Sequence, residues 1–402
     1  MGAQPLYDLA PLAPVALTGA VLAAGPLAWL WLRHRGADPQ RRLRALTLLT
    51  LFLTFDLILF GAFTRLSDSG LGCPDWPGCY GNASPLGAHP QIHAAQASLP
   101  DGPVTHGKAW IEMIHRYLAS CVGMLIAVLA LASWVEHRRA ALGGSRGSKD
   151  NKDNKGGEGG VSPWWATATL AWVCVQGGFG ALTVTMKLYP AVVTLHLLGG
   201  IGLLALLGAQ AQGYVRQPLP LPRRLVAATF AVLALSVLQV ALGGWVSTNY
   251  AVLACSDFPT CQGSWWPAMD FGHAFTLRRE LGQTGDGAWL PFEALTAIHF
   301  AHRLGAGVVL ASIAWLAWGL HTARGAAPAL KRWALILIGV ALWQLASGLS
   351  NVILGWPLVA ALAHTGGAAA LIALLTVLLM RARQSRQAAP RGGFVESRVA
   401  HV

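Results

Sequence analysis

Five histidines of this chain fall inside long apolar runs: His115, His196, His299, His302 and His364. His115 lies six residues inside its run and His196 six after Pro190; His302 lies seven inside and His364 seven after Pro357. At ~1.5 Å rise per residue, these four sit ~9–11 Å below one membrane face. Each half of the chain thus offers two imidazoles at one depth, on two helices that run the same way. Two facing imidazoles at one level of a helix bundle are what six-coordinate heme iron requires. A zinc site would need three or four ligands converging on a point. A single intramembrane histidine is as readily an interhelical hydrogen bond; the repetition is what favours iron. The other eight histidines, among them His89, His93, His106 and His273, lie in loops or tails and are given no specific role.

The neighbours of these histidines add chemistry. His115 and His302 are each followed by an arginine, Arg116 and Arg303. A guanidinium just beyond an iron ligand is placed to pair a heme propionate, or simply to snorkel to the interface. Three residues before His115 stands Glu112; three before His302 stands His299. Positions i and i+3 share a helix face, so Glu112 is expected to point toward whatever His115 binds. There it would act as a base or steady a cationic intermediate, or only orient a histidine. The asymmetry suggests that one half does chemistry and the other carries electrons.

Two stretches repeat. Residues 61–81 (GAFTRLSDSGLGCPDWPGCYG) match residues 243–263 (GGWVSTNYAVLACSDFPTCQG) at an offset of 182, with Gly61, Leu71, Cys73, Asp75, Pro77, Cys79 and Gly81 identical to their counterparts. A second register, offset by 168, matches Gln176, Gly180, Val184, His196 and Gly199 to Gln344, Gly348, Val352, His364 and Gly367. Cys73 and Cys79, like Cys255 and Cys261, are six residues apart in loops that face an oxidising compartment, where disulfides persist. The simplest pairing is Cys73–Cys79 and Cys255–Cys261; pairing across the halves stays open. Both a structural staple and a redox role fit. Cys121 and Cys174 sit within helices and read as packing residues.

The elements that must position these groups are membrane spans. Of 402 residues, 54% are hydrophobic and 11% charged, less than half the charge usual in soluble domains. Nine runs of about 20 apolar residues cover residues 12–32, 45–63, 109–134, 164–184, 191–214, 225–246, 295–320, 330–354 and 357–380. The net charge of +12 does not point to nucleic acid, because 22 of the 29 Lys and Arg fall in alternate connections: 33–44, 135–163, 215–224, 321–332 and 381–402. That is the positive-inside pattern. It predicts a multi-pass protein of the bacterial inner membrane, with a periplasmic N-terminus and a cytoplasmic C-terminus. The first run is read as an anchor, since no basic residue precedes it.

The fold expected is all-α and polytopic: an eight-helix core of two four-helix bundles related by a pseudo-twofold axis along the membrane normal, behind one extra N-terminal helix. The boundaries are 1–44 for the extra helix and its basic loop, 45–214 and 215–380 for the two bundles, and 381–402 for a disordered tail. Residues 142–160, charged and Gly-rich, read as a disordered linker. Asp56, mid-run, is expected to face the bundle interior without an assigned partner.

Glu112-x-x-His115-Arg116, the stretch Thr64-Arg65-Leu66-Ser67-Asp68-Ser69-Gly70-Leu71, the paired cysteine loops, His196, His302-Arg303 and His364 together resemble the heme A synthase family over about residues 45–380. The resemblance implies conversion of heme O to heme A, by oxidising the C8 methyl to a formyl through two hydroxylations and loss of water from a geminal diol. It implies that His115 and His196 hold the substrate heme, with Glu112 at the reacting edge, and that His302 and His364 ligate a resident heme b. Arg65, Arg116 and Arg303 become heme or propionate contacts, and His299 is a competing ligand. A membrane heme O synthase would supply the substrate, heme-copper oxidases would take the product, and an electron donor is required. The extra helix departs from the pattern, and a spare outer helix would suit a homo-oligomer.

Two other functions compete. A diheme cytochrome moving electrons between quinol and an outside acceptor also needs bis-histidine hemes, but it has no use for a carboxylate at Glu112. A quinone-linked thiol oxidase would use the cysteines and leave the histidines unexplained.

Overall fold

A computed structural model describes residues 6–143, 162–323 and 328–388. The expected linker lies outside them apart from residues 142 and 143, and the expected tail lies outside them only beyond residue 388, since residues 381–388 continue the last helix instead of being disordered. The helices are α1 (Leu12–Arg33), α2 (Pro39–Leu66), α3 (His89–Ser98), α4 (His106–Gly143), α5 (Pro163–Thr185), α6 (Pro190–Gly213), α7 (Arg223–Thr248), α8 (Phe271–Ala274), α9 (Phe292–Thr322), α10 (Pro328–Ile353) and α11 (Leu358–Ala388). All but α3 and α8 are long and apolar enough to cross a membrane, so the nine expected spans are present. Several overrun the apolar windows because polar caps extend them. Asp38 accepts from the N–H groups of Gln40 and Arg41 ahead of α2, and proline opens α2, α5 and α6, where its missing N–H costs nothing.

Only 17–39% of the most apolar window of each span is buried within the protein. The remaining apolar surface needs a non-aqueous surround. The protein is an all-α polytopic membrane protein.

The repeat seen in the residues is also a repeat of packing. Helices α2, α4, α5 and α6 close a ring of neighbours, α2 against α4, α4 against α5, α5 against α6 and α6 against α2. Helices α7, α9, α10 and α11 close the same ring in the same order. The two rings meet along α6–α7, α6–α11 and α2–α11. Ile201, Leu204, Ala369 and Ile372 form the buried seam. Thr194 and Thr248 hydroxyls meet at 3.3 Å at one end, and Gln384 donates to the Gln212 carbonyl at 2.9 Å at the other.

Helix α1 stands outside both rings and packs on α4. The approach is close: a Cβ at Gly19 would lie 2.5 Å from Ser120 Cβ, a small-residue crossing of the kind membranes favour. The segment before it pairs with the first cysteine loop, Trp76 N–H donating to Leu6 O (3.1 Å) and Asp8 N–H to Trp76 O (3.2 Å). The extra helix therefore braces the helix that carries His115 and the loop above it.

Candidate functional site

The four histidines at matched depth stand on α4, α6, α9 and α11, the helices that enter the bundles from the end bearing the cysteine loops. Each ring lies against a glycine of the preceding membrane-spanning helix, on α2, α5, α7 and α10. A Cβ would come within 3.0 Å of His115 Cε1 at Gly61, 3.4 Å of His196 Cε1 at Gly180, 3.0 Å of His302 Cε1 at Gly243 and 3.3 Å of His364 Cε1 at Gly348. That is why Gly61 and Gly243, and Gly180 and Gly348, recur in the two registers. A methyl would press hardest on the ring at Gly61 and Gly243, less at Gly348, and would only touch it at Gly180.

The His302 and His364 rings are 6.4 Å apart centre to centre, with their planes at 82°. A metal–imidazole bond of about 2.0–2.1 Å on each side of one iron, with about 1.1 Å from nitrogen to ring centre, amounts to about 6.3 Å. The spacing matches two imidazoles sharing one metal. His115 and His196 likewise lie within electrostatic reach of each other. None of the four Nε2 atoms has a hydrogen-bond partner among the described residues, whereas three of the Nδ1 atoms do. Gln176 Nε2 lies 3.1 Å from His196 Nδ1, Gln239 Nε2 2.9 Å from His302 Nδ1, and Ser347 Oγ 3.0 Å from His364 Nδ1. These contacts fix the rings in place and leave every Nε2 without a protein partner, and at His364 the Ser347 hydroxyl can accept from Nδ1–H in the manner of a metal ligand's second layer. The residues present fit bis-histidine heme. No group of three or more His, Cys, Asp or Glu among the described residues is arranged for a metal ion, although His89, His93 and His106 cluster on the surface with ring centres 4.5–6.4 Å apart.

The polar shell between histidines and loops is also duplicated. Glu112 is buried; its Oε2 accepts from Cys73 N–H at 2.7 Å and its Oε1 pairs with Arg116. Arg116 further donates to the carbonyls of Asp75 (2.8 Å) and Gly78. In the second half Cys255 N–H donates to His299 Nδ1 at 3.3 Å, and Arg303 reaches His299 Nε2 (3.3 Å) and the carbonyls of Cys255, Asp257 and Thr260 at 2.7–2.9 Å. Both arginines, read from the sequence as propionate partners, are turned onto the loop backbone. Both nitrogens of His299 are occupied in the same way, and the ring opposite His364 is that of His302. Arg65 stacks on Tyr250, 3.9 Å from its ring centre, and donates to Ser247 O at 2.6 Å. It joins the two halves, because Ser247 is its own counterpart at the 182-residue offset. Asp56, expected inside the bundle, lies exposed on α2, on the stripe of Leu48 and Phe52.

Disulfides join Cys73 to Cys79 and Cys255 to Cys261, the within-loop pairing. Asp75 and Asp257 tie each loop shut. Asp75 accepts from Tyr80 and Gly81 N–H at 2.6 and 2.8 Å, and Asp257 from Gln262 and Gly263 N–H at 2.6 and 3.0 Å. Gly81 and Gly263 share φ +72°, which explains their recurrence. The Thr260 hydroxyl and these two N–H groups hold the Asp257 carboxyl down at about 2.

The reading of residues alone missed the glycine cradle and the Gln176, Gln239, Gln344 and Ser347 supports. Six of these, Gly61, Gly243, Gly180, Gly348, Gln176 and Gln344, stood in the repeat without a role. Gln239 left no such signal, because Leu57 stands at its counterpart.

A family model for cytochrome oxidase assembly proteins, COX15-CtaA, matches residues 44–376. A protein of Shewanella oneidensis named heme A synthase is 37% identical over 343 residues, 82% of this chain and 93% of the relative. Heme A synthases of Allorhizobium ampelinum and Paracoccus denitrificans are each 27% identical, over 84% and 89% of this chain and 90% and 92% of their own lengths. With the motifs, the doubled bundle and the histidine cradles all inside the matched span, the chain belongs to the COX15-CtaA family of cytochrome oxidase assembly proteins.

Proposed function

We propose that this chain is a heme A synthase, an oxidoreductase that converts the C8 methyl of heme O to the formyl of heme A. The observation that carries the reading is the fourfold imidazole-on-glycine cradle with free Nε2 atoms, set in a chain whose relatives bear that name. The diheme carrier is disfavoured by those relatives. The thiol oxidase is disfavoured because each disulfide is enclosed at 0% exposure of its cysteines.

The two halves divide the work. His302 and His364 hold a resident heme b, which supplies one-electron transfer when bound. His115 and His196 hold the substrate heme O. Methyl to formyl is a four-electron oxidation, balanced as the half-reaction R–CH3 + H2O → R–CHO + 4 H+ + 4 e−, which passes through two hydroxylations and loss of water from the geminal diol, the external redox partner taking the electrons. Protons are released in both hydroxylations, and Glu112, three residues before His115 on α4, is the carboxylate we assign to take them up. Arg116 and Cys73 N–H fix its orientation. In the second half His299 stands in its place, and no proton acceptor of that kind is required of a resident heme.

The chain lies in the bacterial inner membrane with its cysteine loops and N-terminus periplasmic. Heme O synthase delivers the substrate within the bilayer, an external redox partner completes the electron balance, and the product serves heme-copper oxidases. The test is expression with heme O supplied, followed by pigment extraction and mass analysis. An aldehyde-bearing heme is expected; heme O recovered unchanged beside a loaded heme b would leave only an electron carrier.

A further inference from the structure

Three of the four candidate iron ligands are anchored from behind, and one is not. A glutamine reaches the histidine's own backbone carbonyl in three places: Gln176 to His196 (2.6 Å), Gln239 to His302 (2.9 Å) and Gln344 to His364 (3.0 Å). The amide head of each glutamine rests where a glycine three residues after the histidine leaves room, 2.0 Å from a would-be Cβ at Gly199, 2.3 Å at Gly305 and 2.4 Å at Gly367. No larger residue fits under that amide. The Nδ1 atoms of the same three histidines have a side-chain partner. Each of these histidines is thus tethered twice from the second layer, at its carbonyl and at its ring.

At His115 both parts of this device are replaced. The counterpart of Gln239 at the 182-residue offset is Leu57, and the counterpart of Gly305, at the 187-residue offset that relates His115 to His302, is Leu118. His115 Nδ1 is buried with no hydrogen-bond partner. The ring is held by packing alone, against Gly61 and stacked on Phe60 at 6.3 Å between ring centres.

We infer that His115 is the releasable ligand of the first pocket. A second-layer tether fixes where an imidazole stands, and removing such a support typically weakens metal binding 10–100-fold. The inference rests on the heme reading above and deepens it. A resident heme is gripped by two anchored imidazoles. A heme that must enter as substrate and leave as product is gripped by one anchored imidazole, His196, and one that is not. Exchange then proceeds by parting of the His115 Nε2–iron bond, the electron pair staying on nitrogen, while His196 keeps the porphyrin in register. Leu57 and Leu118 are positioning residues that set this lability from the second layer.

The test uses the full chain in detergent micelles, loaded with ferric heme B and heme O in separate preparations, with heme transfer to excess apomyoglobin followed at the Soret band. The parent should release heme in a fast and a slow phase, and H302A should abolish only the slow one. Installing the missing device with L57Q/L118G should slow the fast phase about tenfold, and restore a low-spin, six-coordinate spectrum if the parent's first pocket shows less of it. Removing the device in the other half with Q239L should quicken the slow phase about tenfold, which also decides the matter should L57Q/L118G fail to fold. An unchanged fast phase in folded L57Q/L118G, or an unchanged slow phase in Q239L, overturns the inference while leaving heme binding intact. A parent that takes up no heme overturns the reading beneath it instead.

Discussion

The glycine cradle makes a graded prediction. Apolar carbons attract best at about 3.5–4.0 Å. A methyl at Gly243 would meet His302 Cε1 at 3.0 Å, and one at Gly348 would meet His364 Cε1 at 3.3 Å. The first contact falls short by about 0.5–1 Å and the second by about 0.2–0.7 Å. His302 cannot swing away freely, because Gln239 fixes both its ring and its carbonyl. Overpacking of this order costs about 1–3 kcal/mol, and at about 2 kcal/mol G243A should hold the resident heme roughly 30-fold less tightly. G348A should lose less than about fivefold, under ~1 kcal/mol. Alanine is the better helix former by about 1 kcal/mol, so neither protein should lose fold stability, and the effect should appear in heme alone. The assay is heme retained per chain after purification, with thermal unfolding as the control. G348A losing as much heme as G243A, or G243A keeping all of it, would refute the argument that glycine is there to seat the ring.

Three further outcomes follow from the polar shell and the loops. Glu112→Gln keeps one acceptor oxygen, for Cys73 N–H or Arg116 but not both, and Arg116 stays tied to the loop carbonyls, so heme content should stay near normal while heme A formation falls at least about 100-fold, the usual worth of a general base; normal product by mass analysis would remove Glu112 from the chemistry. Cys73→Ala with Cys79→Ala should leave most activity, because Glu112, Arg116 and Asp75 still tie that loop to α4; complete loss with heme retained would instead give the disulfide a redox role. The Asp257 carboxyl titrates at about 2 when folded against about 3.9 when unfolded, so its contribution is full above about pH 4 and is lost as pH falls through about 2. The amides of Gln262 and Gly263 should therefore stay protected from hydrogen exchange at pH 3.5 and lose protection in D257N; equal protection in both would show that the carboxylate does not close the loop.

Much of this was legible because a membrane leaves few solutions. The nine apolar runs are the nine spans, and the alternating Lys and Arg order them. The four imidazoles could be placed at one depth because every ligand helix starts from the same end, and a constant rise per residue converts sequence distance into depth. What residue order could not convey is direction. Arg116 and Arg303 follow an iron ligand by one position, which fits a propionate as well as a loop; the choice was made by carbonyls of Asp75, Gly78, Asp257 and Thr260, 38–46 residues away. Asp56 failed for a related reason. Helical phase around α2 decides between interior and exterior, and in a helix apolar on every side no polar stripe marks the phase.

The repeat carried one more kind of information, and it lay in the mismatches. Identical residues at matched positions report what both halves must do: close a cysteine loop at Asp75 and Asp257, and seat a ring on Gly61 and Gly243. Differences at matched positions report how their duties diverge. Glu112 against His299 places a carboxylate in one half only, on the same scaffold of a cysteine N–H and an arginine. Leu57 and Leu118 against Gln239 and Gly305 strip the anchor from one ligand only. Both departures fall in the same half, beside the same histidine. A chain needing two equivalent hemes would have no reason to keep either, whereas one that transforms and releases a heme beside another it retains needs both.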